Sequence, residues 1–109
     1  MGDMNYIGGV VRILEIPTLK INKNEIPFTN FRVQLSQLRS KQSKTTLKVL
    51  AWGNLAEDVV KYYRVNDYVL IEGYLSVRKS VTEKDNKAQF LQVNVFKIFP
   101  FFLNTKVTV

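Results

Sequence analysis

The sequence predicts an all-β protein, a five-stranded β-barrel with one helix between the third and fourth strands. Five segments are rich in β-branched and aromatic residues, and polar, Gly- or Pro-containing stretches separate them. One further segment has the apolar spacing and terminal charges of an amphipathic helix. A chain of 109 residues can bury one core but is too short for two domains. We therefore expect a single domain over residues 1–109, with its core at 5–99 and a C-terminal extension at 100–109.

The first two strands are predicted at residues 6–16 and 28–38. The first, YIGGVVRILEI, is rich in β-branched residues and is closed by a proline. The stretch between the strands, with Asn, Lys and two prolines, is typical of a loop or irregular hairpin. The second strand, FTNFRVQLSQL, alternates, with Phe31 and Val33 on one side and Arg32 on the other. We expect its apolar side to face the core.

The third strand, predicted at residues 45–52, runs directly into the helix. Alternation along TLKVLAW places Lys48 and Trp52, the one tryptophan, on the outward side. The helix is predicted over residues 54–65, NLAEDVVKYYRV, with Asn54 as its N-cap. The inward residues of the strand are Leu47, Val49 and Ala51.

The last two strands are predicted at residues 68–78 and 89–99. In the first of them, YVLIEGYLSVR, Val69 and Ile71 share one face and Tyr74 lies on the other. The complete order is β-β-β-α-β-β. This is the order of an OB-fold, a five-stranded, partly open Greek-key barrel. Another small α+β roll is compatible with this order, but five strands and one helix in 109 residues favour the barrel.

The composition argues against an enzyme. Cysteine and histidine are absent, which excludes disulfides, cysteine nucleophiles, the usual zinc sites and the commonest general base. The chain contains no P-loop, and Gly8-Gly9 lacks the third glycine and following helix of a dinucleotide-binding fingerprint. We expect no catalytic residue, no cofactor and no metal.

The charge indicates a polyanionic partner. The net charge is +7 and the isoelectric point is about 9.8, which favours nucleic acid ahead of a membrane surface. No apolar run approaches the ~20 residues of a membrane span, and the N-terminus lacks the features of a signal peptide. We expect an intracellular protein with no membrane insertion. Residues with AT-rich codons predominate, which points to an AT-rich genome such as that of a plastid or a low-GC bacterium.

Aromatic and basic residues coincide on the predicted outward faces. Such a mixture suits single-stranded nucleic acid, because bases stack on aromatic rings while Lys and Arg follow the phosphates. Alternatively, the two aromatic residues pack under the helix or in a subunit interface, and the basic side chains are simply solvated. The candidates on the strands and the basic loop after the second strand are Arg32, Lys48, Trp52, Tyr74, Arg39, Lys41 and Lys44.

The central stretch LKVLAWGNLAEDVVKYYRVNDYVLIEGYLSVRKS resembles the bacterial-type single-stranded DNA-binding protein family. The resemblance continues through NYIGGVVRILEIPTLK, FTNFRVQLS and FLQVNVFKI, and covers roughly residues 5–99. The short versions in algal plastid genomes and cyanobacteria are the most similar, especially around WGNLA. This implies the plastid stroma or nucleoid, with the bacterial cytoplasm as the alternative.

The resemblance implies DNA binding by stacking on several aromatic residues with basic residues between them. Trp52 matches the family's aromatic residue before a glycine, and Lys48 matches the basic residue on the same strand face. Two residues and one loop depart from the pattern: Thr46 and Ser80 each stand where the family has a tryptophan, and the loop at 39–44 has no aromatic residue. Further basic positions that match are Lys20, Arg78 and Lys79.

The resemblance also implies association of subunits through the first strand, giving a homodimer or homotetramer. The family's flexible tail with an acidic tip is missing, since the chain ends FPFFLNTKVTV. The phenylalanines of this C-terminal segment have two possible roles. They dock a protein partner, or they cover the end of the barrel or a contact between subunits. The expected interface residues are Tyr6, Ile7, Val10, Val11 and Ile13, and the C-terminal candidates are Phe99, Phe101 and Phe102.

Three functions remain open at this point. The first is non-catalytic binding of single-stranded DNA in replication, repair or recombination, with a reduced set of stacking residues. The second is a protein-interaction or structural subunit of a larger complex, with little DNA binding. The third is RNA binding, because stacking and phosphate contacts do not distinguish the sugars unless a group reads the 2′-hydroxyl.

Overall fold

The computed structural model describes residues 5–35, 45–79 and 89–104. Three of the predicted basic site residues, Arg39, Lys41 and Lys44, lie outside these residues, as does Ser80.

The observed elements follow the predicted order, with one addition. A two-residue strand lies in the segment predicted as a loop or irregular hairpin, where the Asn22 side-chain oxygen accepts hydrogen bonds from two backbone N–H groups. The strands are β1 (Asn5–Ile13), β2 (Lys20–Ile21), β3 (Pro27–Leu35), β4 (Thr46–Trp52), β5 (Tyr68–Lys79) and β6 (Gln89–Phe102), and the helix is α1 (Gly53–Tyr62).

The strands close into a barrel. The sheet order is β1-β5-β6-β4-β3-β2, and an additional pairing of β1 with β3 joins its two sides. The pairing of β4 with β6 is parallel, and the other pairings are antiparallel. The prediction of an all-β barrel with one helix before the strand at Tyr68 is confirmed.

The core consists of side chains from alternate strand positions and from one face of α1. Leu47, Val49 and Ala51 of β4 are buried, as their alternation predicts, and so are Phe31 and Val33 of β3. The further core residues are Val11, Ile13, Ala56, Val59, Tyr63, Val69, Ile71, Val93 and Val95.

The start of α1 differs from the prediction. The helix begins at Gly53, Trp52 is its N-cap, and no side chain caps it, so the prediction of Asn54 as N-cap is wrong. The physical reason is that β4 passes directly into the first helical turn, and Gly53 makes the bend with a φ of 65°. The helix ends at Tyr62, where the Arg64 guanidinium donates to the carbonyls of Val60, Lys61 and Tyr63.

Strand β6 extends past the expected end of the core at residue 99. It continues to Phe102, which pairs with Tyr68. Beyond it, the backbone N–H of Asn104 donates to the buried Asp67 carboxylate at 2.7 Å. Residues 100–102 therefore belong to the sheet.

Candidate nucleic-acid interface

Three strands bring a lysine and two aromatic rings into one row on the outside of the barrel. Lys20 pairs with Phe28, and Phe28 pairs with Trp52, so their side chains share a face. The rings of Phe28 and Trp52 lie 5.1 Å apart, tilted by 36°. The indole is 43% exposed, although it is backed by Phe28. The Lys20 Nζ donates to Asn30 Oδ1 at 2.7 Å, which holds the ammonium beside this row.

Beyond the Asn30–Leu50 pair, the following row of this face carries two cations. Arg32 of β3 is directly opposite Lys48 of β4. The Arg32 Nε donates to Glu15 Oε2 at 3.1 Å, and Glu15 Oε1 accepts the Arg32 backbone N–H. Like charges directly across a strand pair are unfavourable, and one exposed carboxylate compensates them incompletely. The pair is therefore suited to an anion. We call Lys20, Phe28, Arg32, Lys48 and Trp52 the cationic face.

Phe90 of β6 extends the cationic face toward the end of β5. Its ring centroid lies 5.3 Å from the Lys48 Nζ, within the range of a cation–π contact. Arg78 is directly opposite Phe90, and Lys79 is opposite Gln89. Both of these basic side chains are exposed. The structure thus places Arg78 opposite Phe90, whose ring contacts Lys48.

Tyr74 lies in a different group of rings. It packs against Phe96 at 5.3 Å and against Tyr6 at 6.2 Å between centroids, on the outside of β1, β5 and β6. We call Tyr6, Tyr74 and Phe96 the aromatic cluster. Phe96 is an extra residue of β6 at a β-bulge, because Glu72 pairs with Lys97 and the next residue of β5 pairs with Val95. Trp52 packs against Phe28 instead. The two predicted stacking residues, Trp52 and Tyr74, therefore belong to separate groups of rings.

The phenol of Tyr6 is held in its neutral form. Desolvation, the nearby Glu72 carboxylate and Tyr74 raise the pKa of Tyr6 above its usual 10.0. A protonated phenol can donate to the Glu72 carboxylate. Tyr6 is nevertheless 56% exposed, so the aromatic cluster presents an apolar surface with a polar rim.

The expected interface on β1 divides between the two faces of the strand. Val11 and Ile13 are fully buried in the core, so the prediction that their side chains contact another subunit is wrong. The reason is the strand alternation, which directs odd-numbered residues of β1 inward. Ile7 follows the same phase and packs against the core, whereas Tyr6 and Val10 face outward.

Sequence reasoning missed Phe28 and Phe90. Phe28 and Arg32 are four residues apart on β3 and therefore lie on the same face. The alternation that places Arg32 outward thus also predicts an outward Phe28. Phe90 lies next to residues far from it in sequence, and only strand pairing places it beside Arg78 and Lys48. No local pattern predicts that neighbourhood.

In residues 5–35, 45–79 and 89–104, no three carboxylate, thiol or imidazole side chains are grouped so that they could hold a metal ion. In the same ranges, no helix combines the length and the apolar character that crossing a membrane requires.

The sequence model of the single-strand binding protein family matches residues 4–100. The chain belongs to this family. A relative named for single-stranded DNA binding, ycf41 of Trieres chinensis, is 34% identical over 105 residues, covering 94% of this chain and 93% of its own length. The thylakoid-associated single-stranded DNA-binding protein slr1034 of Synechocystis sp. is 28% identical over 96 residues, covering 87% of this chain and 74% of its own.

A solved structure has the same fold. The small single-stranded DNA-binding protein of Streptomyces coelicolor superimposes with a TM-score of 0.79 at 20% identity. The superposition covers 92% of this chain and 96% of the Streptomyces chain. The barrel described above is thus the OB-fold that the element order predicts.

Proposed function

We propose that the chain binds single-stranded DNA without catalysis, in replication, repair or recombination. The observation that carries this proposal is the half-exposed Trp52 ring, backed by Phe28 and flanked by the cations of the cationic face. Stacking of a base on an exposed aromatic ring contributes roughly 1–3 kcal/mol. Family membership favours this function over that of a protein-interaction subunit with little DNA binding.

In this mechanism a base stacks on the outer side of Trp52 while the backbone phosphates run along the basic residues. Phe28 occupies the inner side of the indole and keeps it oriented outward. Lys20, Arg32 and Lys48 lie on three neighbouring strands and can contact successive phosphates. Arg78 and Lys79 extend the path along the end of β5.

The proposal is tested by following Trp52 emission during titration with an oligo-dT strand at several salt concentrations. Because Trp52 is the one tryptophan in the sequence, the signal reports this face. We expect quenching. The slope of log affinity against log salt concentration should be about −0.7 per phosphate neutralised. Lys48→Ala should reduce that slope by about one such increment.

Exposed Tyr62 at the far end of α1 provides the control. Tyr62→Ala should leave quenching, affinity and salt slope unchanged, because this ring lies outside the cationic face. Absence of quenching in the wild-type protein at low salt would contradict the proposal. A matched oligo-rU titration measures the preference for DNA over RNA, since nothing in the cationic face distinguishes the two sugars by itself.

We propose further that the protein forms a homodimer or homotetramer that covers the aromatic cluster. Tyr6 is 56%, Tyr74 41% and Phe96 43% exposed, a combination that a monomer rarely presents on one contiguous surface. The apolar surface continues along β6, because Phe99 pairs with the outward Leu70 and Phe102 packs near Tyr68. Phe101, 64% exposed, extends the C-terminal part of this surface.

Sedimentation velocity over a concentration series tests the assembly. We expect Phe96→Arg to shift the protein toward monomer, because it places a charge in the centre of the aromatic cluster. Tyr62→Arg is the matched control and should leave the sedimentation unchanged. A wild-type protein that sediments as a monomer at all concentrations would contradict the proposed oligomer and leave Phe99, Phe101 and Phe102 as a surface for a different protein.

We infer a location in the plastid stroma or nucleoid, with the bacterial cytoplasm as the alternative. The predominance of amino acids with AT-rich codons supports this location. So do the two named relatives, of which one is thylakoid-associated. Imaging of the tagged protein relative to organellar DNA tests it.

A further inference from the structure

A cavity of about 320 Å³ opens on the cationic face between β4 and β6. These two strands pair through Lys48–Leu50 and Gln92–Asn94, and the cavity lies next to the first of these pairs. Its size is at the lower end of the range for small-ligand pockets, which is about 300–1,000 Å³. The lining residues are Arg32, Thr46, Leu47, Lys48, Phe90 and Leu91.

The lining combines a ring with cations. Phe90 is half-buried, and the Lys48 Nζ lies 5.3 Å from its centroid. Arg32 faces Lys48 across the strand pair, and Arg78 faces Phe90. Glu15 is the carboxylate that pairs with Arg32. A planar, uncharged group with an attached anion matches this arrangement, because the ring and the apolar leucines suit the plane and the cations suit the charge.

We propose that this cavity binds one nucleobase of the single strand, stacked on Phe90, with its phosphate beside Arg32, Lys48 or Arg78. The inference rests on the proposed DNA-binding function and adds a second stacking site to Trp52. In the free protein the flexible Lys48 ammonium lies over the ring. The entering base takes this position, and Lys48 moves to the phosphate.

The first test relocates the tryptophan. The double variant Trp52→Phe/Phe90→Trp keeps an aromatic ring at both positions and places the sole indole in the cavity. Titration with oligo-dT should quench its emission, with the same salt dependence as the wild-type signal. Circular dichroism of the free variant verifies the barrel.

The second test removes the ring. Phe90→Leu keeps apolar volume but loses the stacking surface, and we expect the affinity for oligo-dT to fall by about tenfold, within the range that stacking of one base supplies. The slope of affinity against salt should remain unchanged, because no cation is removed. Lys48→Ala should show the opposite pattern, a reduced slope with the Phe90 ring intact. Tyr62→Leu is the matched aromatic control and should leave both quantities at wild-type values.

The outcomes separate this inference from the proposed function. Quenching of wild-type Trp52 without quenching of the indole at position 90, or a Phe90→Leu affinity within twofold of wild type, would overturn the second stacking site while DNA binding stands. Absence of any binding by the wild-type protein would overturn both. Quenching at both positions together with the unchanged salt slope of Phe90→Leu supports the inference.

Discussion

The indole of Trp52 packs against the ring of Phe28 across the β3–β4 pair, with 5.1 Å between the ring centroids. The pair lies on the outside of the barrel, where one ring supports the other. Aromatic pairs of this kind contribute about 0.5–1.5 kcal/mol beyond the area that they bury. Support of the indole by Phe28 is therefore expected to affect ligand binding as well as stability.

Phe28→Leu should weaken oligo-dT binding, because the indole loses the ring that orients it. We expect a loss of about two- to tenfold in affinity, corresponding to the value of an aromatic pair, and a shift in the emission of the free protein. Fluorescence titration measures both. Tyr62→Leu, which removes an exposed ring at the C-terminal end of α1, is the control. Equal affinities for wild type and Phe28→Leu would show that Trp52 is oriented by other contacts.

Gly53→Ala should destabilise the protein by about 1–2 kcal/mol, because an L-residue other than glycine is strained in the left-handed region. The φ of Gly53 is 65°, and an added Cβ would meet no atom within 4 Å, so backbone strain and not crowding is the expected cause. Urea denaturation measures the free energy of unfolding. Gly9→Ala is the control, because its added Cβ also meets no atom within 4 Å and its φ lies outside that region. A similar cost for the two variants would argue against the strain at Gly53.

Asp67→Asn should destabilise the protein and release the chain after β6. The buried carboxylate accepts the backbone N–H of Arg64 at 2.8 Å and that of Asn104 at 2.7 Å. Hydrogen bonds to charged groups contribute about 1.5–3 kcal/mol, and the amide cannot replace both acceptor oxygens. We expect lower thermal stability and faster hydrogen exchange at the Asn104 amide. The exposed Asp58→Asn is the control, and unchanged exchange at Asn104 in Asp67→Asn would contradict the anchoring role.

Ionisation of the Tyr63 phenol should destabilise the protein at alkaline pH. Burial, together with the negative charges of Asp67 and Asp58, raises the pKa of Tyr63 above 10.0. The pKa in the folded state thus exceeds that in the unfolded state, so the stabilisation is fully present below pH 10 and is lost as the pH rises through the raised pKa. Chemical denaturation at a series of alkaline pH values measures this loss.

Tyr63→Phe removes the ionisable group and should flatten the alkaline part of the stability profile. It should not change the profile below pH 10, where the phenol is neutral in both states. Tyr62→Phe, an exposed neighbour, is the control. The same alkaline loss in wild type and Tyr63→Phe would assign the effect to other groups.

Alternation explains which predictions were confirmed. Along β4 the neighbours Lys48 and Val49 have opposite preferences, because the charged Lys48 cannot be buried alone while Val49 gains by burial. The same alternation on β1 contradicts the expected interface role of Val11 and Ile13, which share the inward phase with the rest of the core. The predicted N-cap was wrong because Asn54 is a good N-cap locally, whereas the chain passes directly from β4 into a helix that begins at Gly53, with its N-cap, Trp52, two residues earlier than Asn54.

Local sequence patterns predict the number and order of the main strands, the position of the helix, and the inward or outward direction of most strand residues. These properties depend on near neighbours in the chain, through the two-residue period of a strand and the capping and turn preferences of single residues. Three contacts arise only in the folded barrel: Phe28 with Trp52, Tyr74 with Tyr6 and Phe96, and Phe90 with Lys48. These contacts depend on the register between distant strands, which barrel closure and the bulge in β6 set for the sheet as a whole.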